Sequence, residues 1–181
     1  MSVGFKKTDS GFSLIETLVA IIILITALLG PLTLAIYSIR NASLSQNEII
    51  AYNLAQEAME LVRNQRDTNF IAGLGATWAS QGLAACFSGG GCGVEALTGS
   101  FQTCSVLNNC IIKFDSTSGL YGHTTGSDTI FTRQILMNDV DDYDSPHDGV
   151  IDEVKVTVTV SWPERLYNKK LTLEMHLFKW K

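Results

Sequence analysis

One carboxylate stands where water is scarce. Glu16 lies in Phe12-Ser13-Leu14-Ile15-Glu16-Thr17-Leu18-Val19, at the head of an apolar run with no further charge until Arg40. An ionised carboxylate in a bilayer costs about 2.5–3.5 kcal/mol on insertion scales, so such a residue points to a function. It also asks for a positive partner, because a buried charge left alone is strongly unfavourable. A free amino group on Phe12 would be one. Gly11-Phe12 is a fitting junction, since Gly11 has no side chain to obstruct a peptidase and a short basic leader ends there.

Three further sets of residues could do chemistry. Cys86-x5-Cys92 and Cys104-x5-Cys110 are an even set of four, which in an exported domain suggests two disulfides with three possible connectivities. Pairing within each short loop is the simplest, each bond stabilising by roughly 2 kcal/mol. A zinc site is the alternative, but the spacing is wider than usual and no histidines cluster. Between Asp139 and Glu153, seven of fifteen residues are acidic, and Asp139, Asp141, Asp142, Asp144 and Asp148 could supply oxygen ligands to calcium. Tyr143 and Pro146 break the EF-hand spacing, so a solvated acidic loop is the plain reading. His123, His147 and His176 are isolated in the sequence. No nucleophile–base arrangement follows from their spacing, and no catalysis is expected. Gly89-Gly90-Gly91 lacks the Lys and Ser/Thr of a phosphate loop and reads as a turn.

The elements that position these residues begin with a membrane segment. Thr17 to Ile39 is 23 residues without a charge, a helix of roughly 35 Å and enough to cross the hydrocarbon core. Lys6 and Lys7 precede it, which predicts a cytoplasmic amino terminus and an exported remainder. A plain signal anchor shares this profile. A cleaved signal peptide with Thr33-Leu34-Ala35 as a poor site is the other alternative, and the run is long for one. Gly30-Pro31 predicts a kink or local melting over 27–31.

The other 142 residues, from Arg40, are long enough for a core. Residues 40–69 predict an amphipathic helix: Ala51, Ala55, Ala58 and Val62 form a stripe, with Ile50, Leu54, Met59 and Leu61 beside it and Glu57, Glu60, Arg63 and Asn64 opposite. Residues 70–110, rich in Gly, Ser and Asn, read as a long connecting loop. Ile111–Phe114 and Ile130–Met137 are short strand candidates. Val154 to Trp162 and Leu171 to Leu177 alternate strictly, joined by a hairpin connection over Pro163–Lys169. The fold class is α+β, with a long helix packed on an antiparallel sheet. Across all 181 residues the net charge is −5 and the mean hydropathy +0.17. That balance argues against a general nucleic-acid surface; Lys169, Lys170, Lys179 and Lys181 are the only basic cluster near the end.

Lys6-Lys7-Thr8-Asp9-Ser10-Gly11 followed by Phe12-Ser13-Leu14-Ile15-Glu16 resembles the processing site of type IV prepilins and pseudopilins. The resemblance implies a cut between Gly11 and Phe12 by a prepilin peptidase, methylation of the new amino terminus, and a pilin-like fold. It divides the chain into a leader (1–11), a membrane and filament-core helix (12–39), an amphipathic helix (40–69) and a loop-and-sheet domain (70–181). It gives Glu16 a role in recruitment and in neutralising the Phe12 amino group of a neighbouring subunit. The implied partners are other pilin or pseudopilin subunits, an inner-membrane assembly platform and membrane lipid. The implied location is the cytoplasmic membrane, then an extracytoplasmic filament. Residues 53–63 resemble minor pilins more than major ones. Some pseudopilins hold calcium in a loop before the last strands, which gives the acidic segment a precedent by resemblance. The alternative function is an anchored extracellular binding module or adhesin.

Overall fold

A computed structural model describes residues 11, 13–140, 151–164 and 167–179. The chain divides into two compact units, residues 1–46 and 47–181, and one helix, α1 (Leu14–Ile71), supplies elements of both.

In the first unit α1 is apolar on every side from Thr17 to Ile39, and its large side chains are exposed within the chain, Ile15 at 72% and Leu34 at 71%. Thr17, Thr26 and Thr33 turn their hydroxyls back onto carbonyls of the preceding turn. Hydroxyls in apolar helices commonly satisfy themselves this way. The helix is long and apolar enough to cross a membrane. It passes through Gly30 and Pro31 without a break, unlike the melting expected over 27–31. Proline forfeits one backbone bond here, and long helical stretches on both sides keep the remaining ladder.

The second unit is α+β. α1 from residue 47 onward buries Ala51, Leu54, Ala55, Ala58, Met59 and Val62, the expected stripe. The small residues among them sit in one buried core with the inward side chains of the sheet. Among the described residues the sheet has seven antiparallel strands: β1 (Cys92–Glu95), β2 (Ser100–Thr103), β3 (Ile111–Asp115), β4 (Leu120–Gly122), β5 (Ser127–Asp139), β6 (Glu153–Glu164) and β7 (Tyr167–Phe178). β5 is the axis. One edge carries β6, with Thr132–Asp139 paired to Val154–Ser161. The other is shared by β3 along its first half and β1 at Ile135. β2 extends β1, β4 extends β3, and β7 extends β6 in unbroken register from Glu153↔Phe178 to Glu164↔Tyr167.

Alternation decides which face meets the helix. Val154, Val156, Val158, Val160 and Trp162 are buried on β6, as are Phe131, Ile135 and Met137 on β5. Each such side chain contributes about 1.5–3 kcal/mol of transfer free energy. The β6–β7 ladder runs further than expected, because Pro163 and Lys169 belong to it.

The segment 70–110 is not a loop. It holds β1, β2 and three short 3₁₀ turns at Gly75–Thr77, Ala84–Phe87 and Asn108–Cys110. Strands of four residues are too short to display alternation against a background of Gly, Ser and Asn. Backbone contact fixes Gly91, whose φ is +65° and where a Cβ would lie 2.7 Å from the Ile135 carbonyl oxygen. Trp78 is core: it stacks on Phe70 with ring centroids 5.4 Å apart and donates Nε1–H to the Ile151 carbonyl at 2.6 Å.

Candidate functional site

The amino-terminal candidate begins at an exposed Gly11; Phe12 lies outside the described residues. Ser13 starts the helix. Its Oγ accepts the Glu16 amide N–H at 3.3 Å, while its carbonyl oxygen accepts from Glu16 and Thr17. Glu16 is therefore the third residue of α1 after a serine cap. Ser13-Leu14-Ile15-Glu16 has the Ser-x-x-Glu form of a capping box, a local signal that an account built on membrane charge alone passes over. The position suits a carboxylate through the helix dipole. The chain thus places Glu16 at the very start of an exposed apolar helix, with no cationic partner from its own described residues.

The four cysteines are joined as Cys86–Cys92 and Cys104–Cys110, the simplest of the three connectivities. The zinc alternative is thereby set aside. Cys86 and Cys92 are fully buried, next to the helix-side core. Of the calcium candidates, Asp139 ends β5 with its side chain exposed. Asp141, Asp142, Asp144 and Asp148 lie outside the described residues, as does His147. Among the described residues no three His, Cys, Asp or Glu side chains gather as metal ligands.

A second polar centre, absent from the sequence reading, joins helix to sheet. Arg133 alternates with Phe131 and Ile135 on the inner face of β5 and is fully buried. It donates to the Leu54 carbonyl at 3.2 Å, to Glu57 Oε2 at 2.5 Å and to the Val94 carbonyl at 2.8 Å; its Nε has no hydrogen-bond partner among the described residues. Burial pulls the Arg133 pKa below its usual value, and the Glu57 carboxylate works against that pull. Glu57 is thus turned towards the sheet, not away from it as helix periodicity suggested. A long side chain beside the stripe can reach a buried cation, and breaking the ion pair would strand a charge in the core.

Glu95, at the end of β1, completes the cluster by tying down the turn after β4. It accepts from the amides of His123 at 2.8 Å and Thr124 at 3.2 Å, and from the Thr124 hydroxyl at 3.2 Å. His123 is buried, not isolated. Its Nδ1 lies 3.0 Å from the Ile111 carbonyl, while a Cβ on Gly93 would come within 2.8 Å of its Nε2. Burial first, and then the Arg133 charge, depress the His123 pKa. Period-2 spacing on β5 could have disclosed Arg133; nothing in the sequence announces Glu95 or His123.

These carboxylates are occupied by a guanidinium and by backbone amides, so the cluster fastens α1 and β1 to β5. His176, exposed on β7, hydrogen-bonds to Glu153. Comparisons of the chain with family models, with curated proteins and with solved structures return no match.

Proposed function

We propose that this chain is a minor pilin or pseudopilin. A prepilin peptidase cuts it between Gly11 and Phe12, the apolar part of α1 stores it in the cytoplasmic membrane, and an inner-membrane platform adds it to a type IV pilus-type or type II secretion-type filament. It performs no chemistry of its own. In the filament, Glu16 neutralises the amino group of Phe12 on a neighbouring subunit, in a setting of low dielectric where that pair selects register.

The observation that carries this reading is the Gly11-Phe12…Glu16 pattern at the head of a helix whose apolar side chains are uncovered within the chain. A helix apolar on all sides needs lipid or other helices around it.

Mass spectrometry of the amino terminus, with and without an active prepilin peptidase in the same cell, tests it. The expected chain starts at methylated Phe12. A chain that still starts at Met1 beside the active peptidase overturns the reading and leaves an anchored binding module. A start at Ile36 means a secreted soluble protein. The Ser13 cap makes a second arm possible. Glu16→Gln keeps a side chain that suits its capping position but removes the charge, whereas Ser13→Ala removes the cap and keeps the charge. Assembly should fail in Glu16→Gln and persist in Ser13→Ala; the reverse pattern would make Glu16 a capping residue only.

A further inference from the structure

β7 is twelve residues long, without proline or bulge, and among the described residues only β6 pairs with it. Such an edge is a template for another strand. The Lys179 amide donates to the Asp152 carbonyl. Because hydrogen-bonded pairs alternate along an antiparallel ladder, Leu171, Leu173, Met175 and Leu177 then turn their amides to β6. Lys170, Thr172, Glu174 and His176 turn theirs to the open edge. The side chains of Lys170, Thr172 and Glu174 are exposed, and those of Leu171, Leu173 and Met175 are only half-buried on the helix side.

Lys170-Leu171-Thr172-Leu173-Glu174 is self-complementary when read against a second copy running the other way. With Thr172 opposite Thr172 of the other copy, Lys170 faces Glu174 twice and Leu171 faces Leu173 twice. Slipping by one residue puts apolar and polar faces together. Slipping by two sets Lys170 against Thr172 or His176, and by four sets Lys170 against Lys170 or Glu174 against Glu174. One register alone pairs the charges. We propose that β7 is a docking edge for a second copy of this chain, joined in antiparallel register about Thr172 to give one continuous sheet. The interface is isologous, so it closes as a dimer and does not propagate.

Orientation follows from contacts along β7. Lys169 pairs with Glu48 near its start, and Arg66 donates to the Phe178 carbonyl at its end. The packed part of α1 and β7 therefore run the same way, and in the dimer the two helix segments run opposite ways. The contact joins the sheets of two copies, and it does not depend on the filament reading.

The test uses the full chain in detergent. Thr172→Cys, oxidised, should give a disulfide-linked dimer, since directly opposed residues lie within disulfide reach. Asn168→Cys should link poorly to itself but readily to His176→Cys when the two are mixed. By sedimentation, Lys170→Glu should weaken dimerisation roughly tenfold or more. Lys170→Glu with Glu174→Lys together should restore much of it, short of fully because Lys155 lies 2.9 Å from Glu174 within the chain. A monomer at every concentration overturns the proposal. So does a dimer that ignores Lys170→Glu and leaves Thr172→Cys unlinked, which would assign association to another surface, such as the apolar helix.

Discussion

The two parts of α1 share one helical geometry and opposite relations to the chain. Before residue 40, leucines and isoleucines project on all sides and are exposed; after residue 47, alanines form a narrow stripe and are fully buried, as at Ala51, Ala55 and Ala58. Bulk outside and small residues inside look inverted until the surroundings are considered. Large aliphatic groups suit a partner that is fluid or supplied by other chains. Alanines suit a rigid sheet that must come close, because protein interiors are packed too densely to leave gaps. The apolar content of a helix says that it will be covered; side-chain size along its stripe says by what.

The sharpest way to break this contrast is to place the same charge in each part. Ala55→Asp should cost the second unit more than about 4 kcal/mol and abolish its cooperative unfolding, since the carboxylate would be buried without a partner. Ile25→Asp should leave thermal unfolding of that unit within about 0.5 kcal/mol while releasing the chain from membranes on fractionation. Equal losses of fold in both variants would erase the distinction.

Next in size is the ion pair that fastens helix to sheet. Glu57→Ala leaves the Arg133 guanidinium buried and should cost roughly 2–4 kcal/mol in denaturant unfolding, less than a fully enclosed pair because Glu57 is partly in water. Arg133→Met should cost clearly less, since the freed carboxylate can turn to solvent. A larger loss in Arg133→Met would mean that its bonds to the Leu54 and Val94 carbonyls, not its charge, carry the join.

The disulfides rank third. Replacing Cys86 and Cys92 together by serine should lower the unfolding free energy by about 2–3 kcal/mol, with buried hydroxyls adding to the cost. Replacing the less enclosed Cys104 and Cys110 should cost less. Comparable midpoints for both pairs would show that loop closure alone sets the effect.

The smallest effect is one of pH. Burial and the nearby Arg133 hold the folded His123 pKa below its ordinary value of 6.5, so the unfolded chain binds its proton more readily. The resulting stability is complete above about 6.5 and is lost as pH falls through the folded value. His123→Asn, whose amide can still reach the Ile111 carbonyl, should flatten the decline in urea midpoint between neutral and mildly acidic pH. An unchanged slope would place the acid sensitivity in the carboxylates.

Periodic features were legible in the sequence, and single contacts were not. The alanine stripe and the valines of β6 repeat long enough to reveal a face, and pairing within each short cysteine loop was the simplest option. β1, β2 and β4 have only three or four residues each, too few for a period to show. The inward turn of Glu57 depends on Arg133, 76 residues further along, a separation no local pattern spans. The Ser13 cap was local and visible, yet its capping-box spacing was obscured by the more conspicuous membrane charge of the same Glu16.

The join between helix and sheet has a kinetic side. Leu54 and Arg133 are 79 residues apart, and Arg66 and Phe178 are 112. Contacts of that span are slow to form. The alanine stripe emerges early in synthesis, while β5, β6 and β7, which cover much of it, come from the last third of the chain. A nascent chain therefore carries an uncovered stripe until its final strands are made. Pausing or truncation before β6 should expose the chain to proteases and holding chaperones, whatever the finished protein's stability.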